Sequence, residues 1–227
     1  MTTQSQPDRS RDPEKSRAAI LQAAAHEFAA EGVAGARTER IAQRAGVNKA
    51  LLHYYFKDKE SLYGAVLDSV FAGLHQRLES VLAQPGMPRE KLLAWVGAHF
   101  DYIAVSPIYP RLVQREMMRG ASSPHLRRIV RRYLRPVQQQ VWQVLEEGIA
   151  SGEFRRLNAH HFLLSTVAMN VFYFSSASMI SILTKQNPLT PERIAERRAA
   201  VLDLISAAVE PAQGQTKPAD RKRKERS

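Results

Sequence analysis

A short segment in the first quarter of the chain concentrates side chains that can hydrogen-bond to nucleic acid. Residues 48–55 read NKALLHYY and contain Asn48, Lys49, His53 and Tyr54. Lysine can donate to guanine acceptors in the major groove, and the other three types can reach bases or phosphates. The composition of this segment therefore predicts a surface that contacts DNA.

The residues around Gly46 predict how this segment is positioned. Two short helical patterns, residues 37–45 and 48–55, flank Gly46, and glycine readily adopts the left-handed backbone of a tight turn. An apolar set would anchor both helices to the helix before them: Ile41, Val47, Leu52 and Phe56. With this set turned inward, Lys49, Ala50, His53 and Tyr54 face outward. The pattern predicts a helix-turn-helix over about residues 37–56, whose second helix enters the major groove.

Lys59 predicts a phosphate contact beside this unit. Asp58 can cap the helix that follows, which places Lys59 in the first helical turn. A cation there opposes the helix dipole, whereas a bound phosphate would interact favourably with both the free N–H groups and the lysine.

Charge and composition bound the class of protein. The 227 residues carry 33 Lys and Arg against 22 Asp and Glu, a net charge of +11, and contain no cysteine. The excess favours polyanionic partners, and the lack of cysteine excludes disulfides and thiolate chemistry. With no secretory signal or long apolar run, we expect a cytoplasmic protein with no membrane partner. The basic tail after Pro211 could add nonspecific DNA affinity or remain solvated.

The segment GVAGARTERIAQRAGVNKALLHYYFKDKESLY, residues 32–63, resembles the DNA-binding domain of the TetR family of bacterial transcriptional regulators. The resemblance rests on the Gly32 break, Ile41-Ala42, Ala45-Gly46-Val47, the Leu52–Phe56 block and Lys59-Glu60 before Leu62, and it covers about residues 14–74.

The resemblance implies roles for individual residues. Phosphate contacts are expected from Arg37, Thr38, Asn48, Tyr54 and Lys59. Base-edge contacts are expected from Lys49, Ala50 and His53. The chain differs from the usual family pattern at Thr38, Ala50, His53 and Tyr55, so the operator sequence cannot be transferred from relatives.

Helical periodicity continues through the rest of the chain and predicts an all-α fold of about nine helices. We expect a disordered lead-in (1–13), a three-helix DNA-binding domain (14–74), a larger helical-bundle domain for ligand binding and dimerisation (75–210) and a disordered basic tail (211–227). Helices are predicted at about 88–105, 107–119, 123–151, 159–184 and 191–209, with a kink at Pro136.

The larger domain carries aromatic and methionine residues interspersed with a few polar ones, which suits a pocket for a small, mostly apolar effector. The candidate ligand-binding residues are Trp95, His99, Phe100, Tyr102, Tyr109, Met117, Met118, Trp142, Met169, Asn170 and Tyr173. For any one of them, ordinary core packing is the alternative.

Two helices of this domain are candidates for a homodimer interface. The segment FLLSTVAMNVFYFSSASMISIL is apolar nearly all round, and residues 191–209 carry one apolar stripe. The predicted interface residues are Phe162, Met169, Phe172, Ile180, Ile194, Val201, Leu204 and Ile205. Two DNA-binding domains (residues 14–74, called headpieces below), related by a two-fold axis, would bind a palindromic operator.

Two alternative functions remain, an enzyme on a helical scaffold and a DNA-organising protein. Enzyme motifs are absent, and only His99 and Asp101 hint at titratable chemistry, so we expect no catalytic residues and no cofactor. Adjacent His160 and His161 point in different directions on a helix, so no metal site is expected. The arginines at 128, 131, 132 and 135 are an exposed face or a site for an anionic effector or lipid. A DNA-organising protein without an effector is the main alternative.

Overall fold

A computed structural model describes residues 12–211 of the chain. Within this range the fold is all-α, as predicted, and contains no strand. The predicted disordered ends lie outside the described residues, apart from Asp12, Pro13 and Pro211.

The first four helices are α1 (Pro13–Gly35), α2 (Thr38–Ala45), α3 (Lys49–Tyr55) and α4 (Lys59–Leu82). Side-chain caps mark where α1 and α3 begin: the Asp12 carboxylate accepts from Glu14 N, and Asn48 Oδ1 accepts from Leu51 N at 2.7 Å. Gly46 ends α2 in the left-handed region, with φ 66° and ψ 30°. The predicted roles of Asn48 and Gly46 as boundaries of the turn are therefore confirmed.

The remaining helices are α5 (Pro88–Val105), α6 (Ile108–Arg119), α7 (Pro124–Ile129), α8 (Arg135–Ala150), α9 (Ala159–Ser175), α10 (Ala177–Thr184) and α11 (Pro191–Val209). Two predicted helices are each divided. Residues 123–151 form α7, a π-helical segment (Val130–Leu134) and α8, while residues 159–184 form α9 and α10.

The division before α8 has a local cause. Pro136 has no N–H to donate to the carbonyl one turn earlier, and the helix widens to π geometry immediately before it. α9 and α10 meet at Ser176 with a 67° bend. No single helix within residues 12–211 is both long and apolar enough to cross a membrane, although this bent pair meets the length and composition requirement jointly.

The described chain forms two compact units. One comprises residues 12–71 and Arg111–Ile129, and the other comprises Ala72–Pro110 and residues 130–211. The sequence assigned residues 111–129 to the C-terminal domain, but α7 and most of α6 pack in the first unit. The reason is a set of long-range polar contacts that the helical pattern does not reveal.

Each unit has its own apolar core. Ile20, Phe28, Ile41, Leu52, Leu62 and Leu67 are fully buried in the first unit, where the Phe28 and Tyr63 rings meet edge to face at 5.1 Å. Leu92, Val96, Phe100, Ile103, Val141 and Leu145 are fully buried in the second. These cores position the surfaces described next.

Candidate nucleic-acid interface and effector site

The packing of α2 and α3 matches the predicted helix-turn-helix. Ile41, Leu52 and Phe56 are buried, as predicted, and Val47 is half-buried. Ala42 is buried at the contact, and its carbonyl accepts from Val47 N at 3.0 Å across the turn. The two short helices are thus held by one apolar layer and a hydrogen-bonded turn.

The outward face of α3 presents the predicted base-contacting residues together. Lys49, Ala50 and His53 are exposed, and Tyr54 is 81% exposed. Tyr55 is half-buried, and its ring meets that of Tyr54 edge to face at 5.3 Å. Contact with DNA remains a prediction for each residue, but all four lie on an accessible helix surface.

An ion pair that the sequence did not predict joins α2 to α3. Lys49 Nζ donates to Glu39 Oε1, and Thr38 Oγ1 donates to Glu39 Oε2 at 3.4 Å. The hydrogen bond from Lys49 and the attraction of its charge hold the pKa of Glu39 below its usual value. The sequence did contain a signal for this ion pair. Lys49 starts the outward face of α3, and Glu39 is the one acidic residue of α2 that could pair with it.

Two predicted phosphate-contacting residues have structural partners. Asn48 caps α3 through its side-chain oxygen. Lys59 Nζ donates to the carbonyls of Ala34 and Ala36, each at 3.1 Å. These carbonyls explain a lysine in the first turn of α4 without a bound anion, so that part of the sequence argument is corrected. Phosphate contact by either residue stays a prediction.

The start of α2 carries the other two predicted phosphate contacts. The Arg37 side chain is exposed, and its backbone N–H donates to Glu27 Oε1 at 3.2 Å. Thr38 is half-buried and bonds to Glu39. Both remain predictions, and the free N–H groups at the start of α2 lie beside them.

A buried carboxyl group ties α6 to α4 within the first unit. Glu116 is 2% exposed; its Oε2 accepts from Tyr63 Oη at 3.0 Å, and its Oε1 accepts from Ser123 Oγ. Burial and the adjacent Glu116 raise the pKa of Tyr63, so its phenol remains a donor. Sequence reasoning missed Glu116, although it follows the buried Leu112 by four residues and so lies on the same helical face.

Glu60 extends this connection at the start of α4. Its Oε1 accepts from Arg119 Nη2 at 2.6 Å and lies 2.9 Å from His125 Nε2. Burial acts to raise the pKa of Glu60, but the hydrogen bonds from Arg119 and His125 outweigh it, and the pKa is lowered.

Arginines complete the attachment of residues 111–129 within the first unit. Arg115 donates to the carbonyls of Ala29 and Ala30, at 3.2 and 2.6 Å. Arg128 pairs with Asp68 at 3.0 Å. The headpiece is therefore bonded to α6 and α7 at both α1 and α4.

Four predicted ligand-binding residues are in contact in the second unit, and a fifth, Phe100, is buried in the same unit. Trp95, His99, Phe100, Tyr109 and Asn170 are all buried. The His99 ring stacks on that of Trp95 at 6.3 Å and meets the Tyr109 ring edge to face at 6.4 Å. Asn170 Nδ2 donates to His99 Nδ1 at 3.1 Å and to the Val96 carbonyl at 3.3 Å. Burial lowers the pKa of His99 to about 4, so the imidazole is neutral at pH 7.

Two polar atoms of this buried polar cluster (Trp95, His99, Asn170) have no protein partner within residues 12–211. They are Trp95 Nε1, a donor, and Asn170 Oδ1, an acceptor. An unpaired buried polar atom is unfavourable by about 1–3 kcal/mol. The second unit thus offers one donor and one acceptor to a guest molecule or to water.

The other predicted ligand-binding residues are more exposed than the residues of the cluster. Met117 and Met118 are 67% and 88% exposed and lie in the first unit, and ligand contact by either residue stays a prediction. Tyr102, Trp142, Met169 and Tyr173 are half-buried. Tyr102 meets the Tyr109 ring at 5.8 Å, and Tyr173 Oη donates to the Pro188 carbonyl at 2.5 Å.

Two surface depressions have linings that do not include the cluster. One of about 440 Å³ is lined in the second unit by Arg77, Ser80, Val81, Gln84, Pro85, Glu90, Lys91 and Ala94. Another of about 660 Å³ is lined in the first unit by Glu14, Arg17, Ala18, Leu21, Gln22, Ala25, Val66, Ser69 and Val70. Neither contains a predicted ligand-binding residue.

The predicted dimer residues divide by burial. Phe172 and Leu204 are exposed, and Phe162, Met169, Ile180 and Ile194 are half-buried. Val201 and Ile205 are only 1% and 2% exposed because α11 packs against α5 in the same chain, so their assignment to the interface is corrected. Four exposed apolar residues on α9 and α10 were not predicted: Leu164, Met179, Ile182 and Leu183.

Comparison with known proteins matches both parts of the chain. The family model for bacterial regulatory proteins of the tetR family matches residues 20–66, and the model for the tetracyclin repressor-like C-terminal domain matches residues 88–205. Together they span the helix-turn-helix and most of the second unit.

Curated relatives are regulators. The chain is 33% identical to the HTH-type transcriptional regulator RutR of Escherichia coli K12 over 183 residues, which cover 78% of this chain and 82% of RutR. It is 37% identical to the HTH-type transcriptional repressor SCO4008 of Streptomyces coelicolor over 117 residues, which span 51% of this chain and 57% of that repressor.

A solved structure shares the fold. The transcriptional regulator FadR from Bacillus subtilis, in complex with stearoyl-CoA, superposes with a TM-score of 0.65 at 22% identity, covering 85% of this chain and 99% of FadR. With the helix-turn-helix, both family models and these relatives in agreement, the chain belongs to the TetR family of DNA-binding transcriptional regulators.

Proposed function

We propose that the protein is a repressor that binds a palindromic operator as a homodimer and leaves it when a small molecule binds the second unit. The observation that carries this function is the exposed face of α3, where Lys49, Ala50, His53 and Tyr54 project from an anchored helix-turn-helix. A face of this kind fits one major groove. The protein would act in the cytoplasm, where its DNA lies.

The exposed apolar residues of α9 and α10 support the homodimer. Leu164, Phe172, Ile182 and Leu183 are exposed on these helices, and Leu204 is exposed on α11. Exposed apolar side chains that form a contiguous patch mark an interaction site. A second copy related by a two-fold axis would cover it and place two α3 helices in successive major grooves, about 34–36 Å apart.

The buried polar cluster supports an effector that is mostly apolar and carries one small uncharged polar group. Trp95 Nε1 needs an acceptor and Asn170 Oδ1 needs a donor. His99, which is neutral at pH 7, contributes no charge, and the face of the Tyr109 ring beside it is apolar. FadR was solved with stearoyl-CoA, whose acyl chain is likewise mostly apolar.

Coupling between effector and operator needs only a modest energy. α4 contributes residues to both units, so its displacement by the effector would change how the headpieces are presented. A coupling free energy of about 1–3 kcal/mol lowers operator affinity by about 5- to 150-fold.

A second candidate is a DNA-organising protein without an effector. The close packing of Trp95, His99 and Tyr109 against one another favours it, because such packing leaves little space for a ligand. Mapping of binding sites across the genome separates the two: one or a few promoter sites indicate a repressor, and hundreds of sites indicate an organising protein.

The test of DNA reading uses a duplex recovered by selection from a random library with the wild-type chain. Lys49→Ala combined with His53→Ala should lower the affinity for this duplex, measured by mobility shift, by about 10-fold or more, since each good base contact contributes about 1–3 kcal/mol. Arg156→Ala, an exposed cation of the second unit, is the control and should bind normally. Unchanged binding by the double variant would refute the role of α3.

A further inference from the structure

The Glu39–Lys49 ion pair places a negative charge on a surface that binds a polyanion. Both side chains are exposed, and they come from the two helices of the helix-turn-helix. Glu39 also lies next to Thr38 and two residues from Arg37, where phosphate contacts are predicted. A carboxylate at this place repels the phosphates of DNA. Its presence on this surface therefore calls for a second use.

Lys49 gives Glu39 that use. A lysine side chain has a flexible four-carbon stem and three N–H donors, so its ammonium group can take many positions. The bond to Glu39 Oε1 uses one donor and leaves two for other acceptors. It also orders the stem before DNA arrives, which reduces the entropy lost when Lys49 binds a base.

We propose that Glu39 is a positioning residue for sequence reading: it holds Lys49 toward base-edge acceptors and away from the nearest phosphate. Lys49 keeps its bond to Glu39 while its other donors reach guanine O6 and N7. On DNA of other sequence Lys49 finds no base acceptor, and its bond to Glu39 keeps its ammonium group from binding a phosphate. Glu39 thus lowers affinity for nonspecific DNA without lowering affinity for the operator, and so raises the ratio of specific to nonspecific affinity.

Two effects of Glu39 must be separated. Plain repulsion of phosphate would weaken operator and random DNA by the same factor and would not depend on Lys49. Positioning acts through Lys49, so it changes the affinity ratio and disappears when residue 49 carries no ammonium group. A double-mutant cycle distinguishes the two effects.

The experiment measures dissociation constants of the full chain for the selected operator duplex and for a scrambled duplex, across a salt series. Glu39→Gln removes the charge and keeps the shape of the side chain. It should raise affinity for scrambled DNA about fivefold near 0.1 M salt and steepen the logarithmic salt dependence by about 0.9, the contribution of one added phosphate contact. The ratio of operator to scrambled affinity should fall about fivefold or more.

Matched variants supply the controls. Glu39→Gln in a Lys49→Gln background should leave the ratio unchanged, and Glu39→Asp, which retains the charge, should restore part of it. Glu31→Gln removes another exposed carboxylate of the same unit, one that pairs with Arg40 at 4.0 Å, and should leave the ratio unchanged.

Each outcome decides the proposal. Equal gains for both duplexes, or the same change in the ratio with and without Lys49, would overturn the role of Glu39 while leaving DNA reading by α3 intact. A Lys49→Gln variant that keeps the wild-type ratio would overturn base reading by Lys49 and this proposal with it. Neither result bears on the homodimer or the effector.

Discussion

Removal of the Glu116 carboxyl group should destabilise the first unit strongly. Glu116 is buried and accepts from Tyr63 Oη and Ser123 Oγ, and it joins α6 to α4 and to the start of α7. A hydrogen bond to a charged acceptor contributes about 1.5–3 kcal/mol. Loss of two such bonds in Glu116→Ala, with two donors left in place, predicts a decrease of about 3 kcal/mol or more in the free energy of unfolding.

Equilibrium unfolding in urea, followed by far-UV circular dichroism, measures this change. Glu116→Gln, which keeps one acceptor, should lose roughly half as much as Glu116→Ala, and Tyr63→Phe should lose about 1.5–3 kcal/mol because it removes one of the two bonds to the carboxyl group. The exposed Glu146→Ala serves as the control and should stay within about 0.5 kcal/mol of wild type.

A small effect of Glu116→Ala would refute this reasoning. If the free energy of unfolding fell by less than about 1 kcal/mol, the two buried bonds together would contribute no more than one average hydrogen bond. Additive effects of Tyr63→Phe and Glu116→Gln would likewise show that the two groups do not interact, since partners in direct contact give a measurable coupling energy.

Three further predictions follow from other contacts. Burial lowers the pKa of His99 from 6.5 to about 4, so the stability that its neutral form contributes is complete above pH 6.5 and is lost as the pH falls toward 4. Melting temperatures measured from pH 7.5 to 4 should therefore fall less steeply in His99→Leu than in wild type. Parallel curves would contradict this. Asn48→Ala should lower the free energy of unfolding by about 1 kcal/mol through loss of the α3 cap, whereas Asn48→Asp should not, as judged by urea unfolding at pH 7. Phe172→Asp should shift the protein from dimer to monomer in sedimentation velocity, while Lys185→Asp, at an exposed site outside the apolar set, should leave the dimer intact; an unchanged dimer in Phe172→Asp would place the interface elsewhere.

The boundaries and type of the helices follow closely from sequence. Asn48, Gly46 and Pro136 act on the backbone within a few residues, by capping, by a left-handed turn and by a missing N–H. The alternation of buried and exposed positions in α2 and α3 is also local, because helical geometry fixes which side chains share a face. For this reason the helix-turn-helix and its outward set were predictable.

The partners of the exposed and buried polar groups were not predictable in this way. Lys49 bonds to Glu39, Lys59 to carbonyls near the end of α1, and Glu116 to Tyr63, and in each case the residues are 10 to 53 positions apart. Val201 and Ile205 carry an apolar stripe in the sequence, but only the packing of α11 on α5 decides that this stripe is already covered.

Sequence by itself determined that residues 12–211 are all-α and that α3 faces outward with the side chains predicted to contact DNA, because both depend on periodicity and on short-range backbone chemistry. Tertiary structure alone decided that α7 and most of α6 pack in the first unit and that Glu39 holds Lys49. It also decided that Trp95 and Asn170 each keep one atom without a partner among the described residues. These depend on distances between residues far apart in the chain, which helical periodicity does not encode.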